Sequence, residues 1–322
     1  MSANTRILYT VLLAFLAVVP FQDFVYIVFV MKLLCFALFA SAFNLLLGYT
    51  GLLSFGHAAF FGGAAYVTAH ASKAWGLSPE LAILLGMFYA CVTGYLFGSL
   101  AIRRQGIYFA MITLALSQLI FFLALQMKFT GGEDGIQGVP RGYLVRFIDL
   151  SSDTAMYYFV LVLFLVGFLL IQRTIHSPFG QVLKSSRENE PRAISLGYDV
   201  KQFKLLAFVI SATLAGMAGS MKSLVFQLAT LTDVHWHMSG EVVLMTILGG
   251  IGTLLGPIVG AGLVIGLQNY LAGIGSFSTI VLGAIFVVCV LAFRRGIVGE
   301  WLAYFERHQE SKDRRGGYEQ NK

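Results

Sequence analysis

Long apolar runs separated by short polar stretches dominate the chain. A helix needs roughly 20 residues to cross about 30 Å of hydrocarbon, because each residue adds 1.5 Å. The apolar runs and the breakers between them therefore predict membrane-crossing helices. The predicted crossings are residues 7–22, 25–47, 55–72, 81–102, 106–127, 155–172, 203–223 and 276–293.

The apolar stretch 242–271 breaks this pattern, because Gly249-Gly250-Ile251-Gly252-Thr253 and Gly256-Pro257 interrupt it. Discontinuous helices at membrane depth are tolerated mainly where they line a cavity or are buried in protein. We expect two half-helices that return to the side they entered from, and a similar break in the glycine-dense segment 48–63. The predicted fold class is an all-α polytopic integral membrane protein with about 8 to 10 transmembrane or re-entrant helices.

The composition agrees with a membrane protein, since 57% of the residues are hydrophobic and 12% are charged. That is too little charge to cover a water-soluble globule of 322 residues. We expect one transmembrane domain over residues 1–300 and a charged cytoplasmic tail over 301–322. The first apolar run, Ile7 to Phe21, lacks the small-residue cleavage site of a signal peptide, so a retained helix is expected.

Lysine and arginine predict the orientation, because cationic loops resist translocation and stay in the cytoplasm. With the amino terminus inside, 16 of the 22 Lys and Arg residues face the cytoplasm, including those between Arg173 and Lys204. This balance requires the stretch 242–271 to return to its entry side. Both termini are therefore expected in the cytoplasm. The residues left outside are Lys73, Lys128, Arg141 and Arg146.

Several classes of function are disfavoured by the motifs that the sequence lacks. It contains no HExxH or GxSxG motif of an enzyme, and no CxxC spacing of a metal site. It also lacks the GxxxxGK[ST] motif, so ATP would have to bind another subunit. The basic residues lie at the ends of apolar runs and not in an aromatic-interleaved stripe, which argues against nucleic acid.

Ionisable residues within the predicted helices are few, which disfavours a transporter that binds a coupling ion. Lys32 lies within a predicted helix, and Lys222 lies near the end of another, where it is placed to snorkel. Asp233 and Glu241 fall at the predicted outer boundary. The rival from this class is an ion-coupled transporter or channel that works alone. The sequence does not offer the buried carboxylates that such a protein would need to bind its coupling ion.

Polar residues inside apolar runs, and the glycines of the broken stretch, are candidates for a solute path. His57 lies in a glycine-rich membrane motif, where it either hydrogen-bonds between helices or contacts the solute, with catalysis a remote third interpretation. The other polar candidates have the same first two interpretations. The full set is Asn44, Ser54, His57, Thr113, Gln118, Gly249, Gly252 and Thr253.

The basic loop from Arg173 to Lys204 carries helix signals of its own. Pro178 favours a helix start, Gly197 favours a left-handed C-cap, and Pro191 bends or divides the helix between them. A short cytoplasmic surface helix or helix pair is expected, with an ordinary solvated loop as the alternative. The apolar residues that such an element would bury are Val182, Leu183, Ala193, Ile194 and Leu196.

Three stretches form an ordered set of motifs. They are Gly48-Tyr49-Thr50-Gly51-Leu52-Leu53-Ser54-Phe55-Gly56-His57-Ala58-Ala59-Phe60, then Ser177-Pro178-Phe179-Gly180 through Leu196-Gly197 to residues 204–216, and Gly249-Gly250-Ile251-Gly252-Thr253 with Gly256-Pro257 and Gly260-Ala261. Together they resemble the permease subunits of branched-chain amino acid ABC importers, in particular the M type (LivM-like). The resemblance covers the chain from about residue 30 to 300.

The resemblance implies that the segment 177–197 is an EAA-type coupling segment, which docks into a cleft on an ATP-binding subunit. Pro191 and Arg192 stand where the family has a pair of alanines after the glutamate, and this departs from its pattern. The residues that the resemblance assigns to coupling are Ser177, Pro178, Gly180, Glu190, Ala193, Leu196 and Gly197.

The resemblance also implies a heteromeric importer in the bacterial inner membrane. Its other parts would be a second homologous permease of the H type, two ATP-binding subunits that hold ATP and magnesium, and a periplasmic binding protein. This chain would then be a non-catalytic subunit without a cofactor. The implied solutes are branched-chain amino acids, with urea or short amides and aromatic acids as alternatives. The acidic external loop 128–153 either helps to dock the binding protein or is simply solvated.

Overall fold

A computed structural model of the protein describes residues 26–144, 148–274, 277–292 and 296–300. Helices make up most of these residues, and the short strands lie at one end, so the expected all-α polytopic fold is confirmed. The predicted crossing 7–22 and the predicted tail 301–322 lie outside the described residues.

The helices, numbered in chain order, agree with the predicted crossings to within a few residues. The larger ones are α1 (Ile27–Thr50), α2 (His57–Lys73), α3 (Pro79–Ala101), α4 (Ile107–Gln126), α5 (Asp153–His176), α6 (Pro178–Glu188), α8 (Val200–Phe226), α10 (Trp236–Gly249), α11 (Gly256–Leu271) and α12 (Phe277–Ala292). Two short helices are α7 (Glu190–Ser195) and α9 (Leu231–Val234). Among the described residues, α1, α3, α4, α5 and α8 are long and apolar enough to cross a membrane.

Two of these helices form the centre of the molecule. In the most apolar window of each helix, 72% of α1 and 67% of α8 is buried inside the protein, against 39% of α3 and 28% of α4. All four helices are strongly apolar, so burial separates the two that pack against protein from the two that present apolar residues outward. The outward residues of α3 and α4 are suited to lipid.

Small residues in α8 allow neighbouring helices to pack closely against it. A β-carbon on Gly219 would overlap the backbone carbonyl of Phe61 in α2. A β-carbon on Gly216 would overlap the β-carbon of Ala90 in α3. Small side chains let membrane helices approach closely enough for dispersion contacts to hold them together. α2, α3 and α8 therefore pack as one unit.

The end of the molecule that carries α6 and α7 is called the inner end, and the opposite end the outer end. α1 runs from the outer to the inner end and stops at Gly51, whose φ of 74° gives a left-handed C-cap bonded to the Leu47 carbonyl. The chain from Gly51 to Gly56 is not helical. α2 then begins at His57 and ends at Lys73, which bonds the Gln137 carbonyl in the outer loop.

The start of α2 lies well inside the helical bundle. His57 contacts Ser211, whose hydroxyl bonds the Ala42 carbonyl of α1. Ala42 precedes the last residue of α1 by two turns, so His57 lies about 12 Å from the inner end of that helix. The expected break in the segment 48–63 is confirmed. The non-helical residues from Gly51 to Gly56, and not α2, span the part of the bundle between the start of α2 and the inner end.

The stretch 242–271 forms a helical hairpin. A β-carbon on Gly260 would overlap the Met245 carbonyl, and one on Gly249 would overlap the Gly256 carbonyl, so α10 and α11 pack antiparallel. Their 14 and 16 residues give lengths of about 21 and 24 Å, shorter than a full crossing. The predicted return to the entry side is confirmed for this stretch. Residues 250–255, called the hairpin tip, join the two helices at the inner end.

The outer end holds the loop between α4 and α5 and two short antiparallel strand pairs. β1 (Ile136–Gln137) pairs with β4 (Leu228–Ala229), and β2 (Tyr143–Leu144) pairs with β3 (Ile148–Asp149). Arg141 forms a 2.6 Å ion pair with Asp153 at the start of α5. Hydrogen bonds from Ser151 hold the pKa of Asp149 below its usual value. These contacts tie described parts of the acidic loop to the start of α5.

Candidate translocation and coupling sites

His57 is fully buried and bonds a residue of α8 and a residue of the non-helical segment before α2 through its two ring nitrogens. Nε2 lies 2.9 Å from Ser211 Oγ in α8, and Nδ1 lies 3.1 Å from Ser54 Oγ. The Ser211 hydroxyl donates its proton to the Ala42 carbonyl at 2.6 Å, so toward His57 it acts as an acceptor. Nε2 therefore carries the proton, and Nδ1 accepts a hydrogen bond from Ser54.

Aromatic rings enclose the imidazole of His57. The rings of Phe43, Phe60 and Phe208 meet it edge to face, with centroid separations of 5.0, 5.5 and 5.8 Å. Both nitrogens are satisfied and the side chain has no exposed surface. In this conformation His57 has the first of its predicted roles, a hydrogen-bonding link between helices.

Ser54 and Thr113 hold the non-helical segment that precedes α2. The Thr113 hydroxyl of α4 accepts a hydrogen bond from the Phe55 N–H at 3.2 Å and donates one to the Ala110 carbonyl. Ser54 Oγ accepts a hydrogen bond from the Gly56 N–H. Side chains therefore satisfy backbone groups that a continuous helix would have paired internally.

Asn44 joins α1 to the hairpin tip. Its amide nitrogen donates to the Thr253 carbonyl at 2.8 Å, and its amide oxygen accepts from the Gly252 N–H at 2.9 Å. The Thr253 hydroxyl bonds the Gly250 carbonyl and accepts from the Gly256 N–H, which closes the turn. Gly252 has a φ of 78°, a left-handed conformation that favours glycine.

The structure thus gathers most of the predicted path residues into two groups at the ends of the broken segments. Ser54, His57 and Thr113 hold the start of α2, while Asn44, Gly252 and Thr253 hold the hairpin tip, with Gly249 packed in the hairpin seam. Gln118 lies half-buried on α4, apart from both groups.

The predicted helix pair of the inner end is confirmed. Ser177 caps α6 by accepting a hydrogen bond from the Gly180 N–H, and Pro178 occupies the first turn, where it needs no amide hydrogen. Gly180 lies against the Ile175 and Thr174 carbonyls, where a β-carbon would overlap both. This glycine lets α6 fold back tightly on the end of α5.

The division between α6 and α7 falls at Asn189. Its side chain accepts a hydrogen bond from the Arg192 N–H, and Pro191 follows in the first turn of α7. α7 ends at Ser195, and Gly197, two residues later, has a φ of 89°, which confirms the predicted left-handed position. Pro191 and Arg192, the departure from the family pattern, thus begin the second helix of the pair.

Glu190 anchors α7 to the membrane helices. Its Oε2 lies 2.8 Å from Lys204 Nζ at the start of α8 and accepts a hydrogen bond from Gln105, between α3 and α4, at 2.9 Å. Lys204 is buried, and this carboxylate is the partner that compensates its charge. Displacement of α7 therefore acts directly on α8 and on the connection between α3 and α4.

Not all the apolar residues of this element are buried. Val182, Leu183 and Ala193 are buried as expected, whereas the prediction was wrong for Ile194 and Leu196, which are 56% and 69% exposed. Both side chains point away from the helices that α7 packs against.

Beside Leu196 runs a groove of about 860 Å³. The stacked rings of Phe179 and Phe203, with centroids 5.5 Å apart, contribute to its apolar lining, together with Tyr198. Exposed apolar surface of this kind is a common feature of protein docking sites.

A family model described as "Branched-chain amino acid transport system / permease component" matches residues 25–290. The chain belongs to this permease family. It is 26% identical over 278 residues to the "High-affinity branched-chain amino acid transport system permease protein LivM" of Escherichia coli (strain K12) and, equally, to the protein of the same name in Salmonella typhimurium (strain LT2).

These two matches cover 79% of this chain and 65% of the length of each relative. A shorter match, 30% identical over 119 residues, covers 35% of the permease and 34% of the "Probable branched-chain amino acid transport permease protein LivH" of Methanocaldococcus jannaschii. No solved structure matches the permease significantly.

Sequence reasoning missed a buried ion pair in the permease. Lys222 was expected to snorkel, but it is buried and its Nζ lies 2.6 Å from Asp233 Oδ2, which is also buried. Asp233 accepts further hydrogen bonds from the backbone and side chain of Thr230. The expectation that carboxylates are not buried is therefore wrong at Asp233, although this carboxylate is neutralised by its partner.

Arg187 of α6 is a second residue that sequence reasoning missed. Its guanidinium donates a hydrogen bond to the Gly48 carbonyl near the end of α1. The sequence placed Arg187 among charged residues of a surface loop, and no local pattern there distinguishes it from Arg192. Only the three-dimensional approach of α6 to α1 does so.

Proposed function

We propose that the chain is the membrane-spanning permease subunit of an ATP-driven importer that takes up branched-chain amino acids. ATP and magnesium would be held by two separate ATP-binding subunits, since the chain has no P-loop. A second, homologous permease would complete the membrane domain of the importer. The matches to LivM and to LivH, two permeases of the same system by name, support this pairing.

The observation that carries the proposal is the α6–α7 pair. It exposes Ile194 and Leu196 beside an apolar groove, and Glu190 ties it to α8 and to the connection between α3 and α4. The pair exposes apolar surface on one side, where another subunit can dock, and bonds to membrane helices on the other side. It is therefore suited to transmit motion of a docked subunit to those helices. We assign the segment 177–197 as the coupling segment, with Ser177, Pro178, Gly180 and Gly197 shaping it.

The inner end is the cytoplasmic side in this proposal. The abundance of Lys and Arg between Arg173 and Lys204 supports this orientation, because cationic segments are retained in the cytoplasm. The domain then spans residues 1–300 in the bacterial inner membrane, with both termini and the tail 301–322 in the cytoplasm. The acidic loop at the outer end faces the periplasm, where the binding protein delivers the solute.

The solute path is proposed to run between this chain and the second permease, gated by the two broken segments. In the described conformation Asn44, Ser54, His57 and Thr113 are occupied by bonds within the chain. Their side chains hold the gating segments in place, and the solute passes when these segments separate. Rigid-body motion of the coupling segment, driven by closure of the ATP-binding subunits, supplies the displacement.

The test is reconstitution of the purified complex. The chain is co-expressed with candidate ATP-binding subunits and a candidate second permease, purified through a tag on this chain, and placed in proteoliposomes. With binding protein and ATP, radiolabelled leucine is expected to accumulate. Accumulation of urea or an aromatic acid instead of leucine would overturn the solute assignment. Uptake by the chain alone, driven by an ion gradient, would overturn the importer assignment.

A further inference from the structure

The side chain of Arg187 leaves the coupling segment and reaches the inner ends of both broken segments. Its guanidinium donates to the Gly48 carbonyl near the end of α1, and its aliphatic stem lies over Gly51. A β-carbon built on Gly252 would lie 3.4 Å from Arg187 Nη1, so the same group borders the hairpin tip. One side chain therefore links α6 to two other parts of the fold, the end of α1 and the hairpin tip.

The Gly48 carbonyl is a favourable target for a cation. The last four carbonyls of a helix lack partners within the helix, and the negative end of the helix dipole lies there. The Gly51 N–H satisfies Leu47, whereas Gly48 is bonded by Arg187. The ion pairs found among the described residues do not include Arg187, so its charge is directed at backbone and not at a carboxylate.

The two backbones that Arg187 touches also hold each other. A β-carbon on Gly48 would overlap the backbone of Gly252, and Asn44, one turn earlier in α1, makes two hydrogen bonds to the hairpin tip. The end of α1, the hairpin tip and α6 thus meet at one junction, which we call the inner junction. Motion of α6 reaches both broken segments at this point.

A cavity of about 420 Å³ lies beside the inner junction. Its lining includes Gly48, Gly252, Arg187 and Glu188, together with Lys184 and Tyr49, where Lys184 Nζ lies 5.5 Å from the centre of the Tyr49 ring. The guanidinium can leave the Gly48 carbonyl for this space without displacing backbone. A single hydrogen bond of this kind is weak enough to break and reform during a transport cycle.

We propose that Arg187 is the positioning residue that transmits motion of the coupling segment to the end of α1 and the hairpin tip. The inference rests on the proposed function, because it assumes that α6 and α7 move when ATP is used. Arg187 need not contact the solute. It sets whether displacement of α6 separates the two broken segments.

The test compares Arg187→Gln, Arg187→Lys and the control Arg173→Gln in the reconstituted complex. Arg173 is exposed in the last turn of α5, outside the coupling segment and the inner junction, so its replacement makes the same charge change elsewhere at the inner end. ATP hydrolysis and leucine uptake are both measured per assembled complex. For Arg187→Gln, leucine taken up per ATP hydrolysed is expected to fall about tenfold, within the usual range for coupling between sites. Arg187→Lys should restore part of this ratio because it keeps the charge but loses the planar fork, and Arg173→Gln should match the wild-type chain.

A second measurement does not depend on uptake. Spin labels at Ser185 on α6 and Ile251 on the hairpin tip, in a cysteine-free background, report the distance between these elements with and without ATP and vanadate. The distance change seen in the wild-type complex is expected to be lost in Arg187→Gln. An unchanged uptake ratio, or uptake and hydrolysis that fall in equal proportion, would overturn the inference. A wild-type complex that hydrolyses ATP without importing leucine would instead count against the proposed function.

Discussion

The inner junction and the outer end of the same bundle are held by different kinds of interaction. At the outer end, Lys222 and Asp233 form a buried ion pair 2.6 Å long, and Thr230 adds two hydrogen bonds to the carboxylate. At the inner junction, Asn44 and Arg187 bond backbone groups of α1 and the hairpin tip. The first region joins two full charges, and the second joins charges or amides to neutral carbonyls and N–H groups.

This difference sets how easily each region comes apart. Separating a buried ion pair leaves an uncompensated charge in a low-dielectric interior, whereas each bond that Asn44 makes at the inner junction is neutral and contributes about 1 kcal/mol. We therefore expect the outer end to stay closed and the inner junction to be the part that opens. The moving part of the permease would then lie next to the segment proposed for coupling.

The largest expected effect is at the outer end. Asp233→Ala removes the partner of Lys222 and is expected to destabilise the chain by about 3–5 kcal/mol, because it leaves a buried charge unpaired. The measurement is the apparent melting temperature of the purified chain in detergent. The double replacement Lys222→Met with Asp233→Leu is the control, and it should recover most of the loss because both charges are gone. A single variant as stable as the wild-type chain would remove the ground for calling this end fixed.

The hairpin seam comes next in size. Gly260→Ala adds a β-carbon where the Met245 carbonyl lies, so α10 and α11 must move apart, at a cost of about 2 kcal/mol. Gly266→Ala lies in the same helix with open space at the β-carbon and is the matched control. It should leave the melting temperature unchanged or raise it slightly, because alanine favours helix. Equal effects of the two replacements would contradict the antiparallel packing described for the hairpin.

A loss similar in size to that at the hairpin seam is expected at the inner junction. Asn44→Ala removes both side-chain bonds to the hairpin tip and should cost about 2 kcal/mol in stability, at about 1 kcal/mol for each bond. The loss should be smaller than that of Asp233→Ala, which is the point of the comparison. In the reconstituted complex, the same variant should hydrolyse ATP at a higher rate without added binding protein, since the junction no longer restrains the hairpin tip. A loss as large as that of Asp233→Ala would show that the inner junction is as fixed as the outer end.

Much of the fold was predictable because a bilayer imposes a length on every crossing. α3 and α4 begin and end close to the predicted residues, since about 20 apolar residues and their charged ends define such helices without reference to neighbours. The breaks at Gly51 to Gly56 and at the hairpin tip were predictable for a similar reason, because dense glycine and proline interrupt a helix locally.

The contacts of the candidate sites were less predictable, because they depend on which helices meet. Lys222 and Asp233 lie on different elements, and the sequence alone does not show that α9 folds back against α8. The contact of Arg187 was unpredictable for the same reason, because its partner Gly48 is far away along the chain. The exposure of Ile194 was also not predicted. An apolar residue in the sequence indicates that its side chain is buried, but it does not show whether the residues that bury it belong to the same chain or to another subunit.

The smallest effect on stability is expected for Ile194→Ser in α7. This side chain is 56% exposed, so the isolated chain should keep its melting temperature, with a change within about 0.5 kcal/mol. Ile148→Ser in β3 is the matched control, because that side chain is 53% exposed at the outer end. Both variants should be equally stable, but Ile194→Ser alone should co-purify less ATP-binding subunit through a tag on the permease. If the two variants retained equal amounts of that subunit, the exposed face of α7 would have no part in docking, and exposure at the inner end would mean no more than exposure at the outer end.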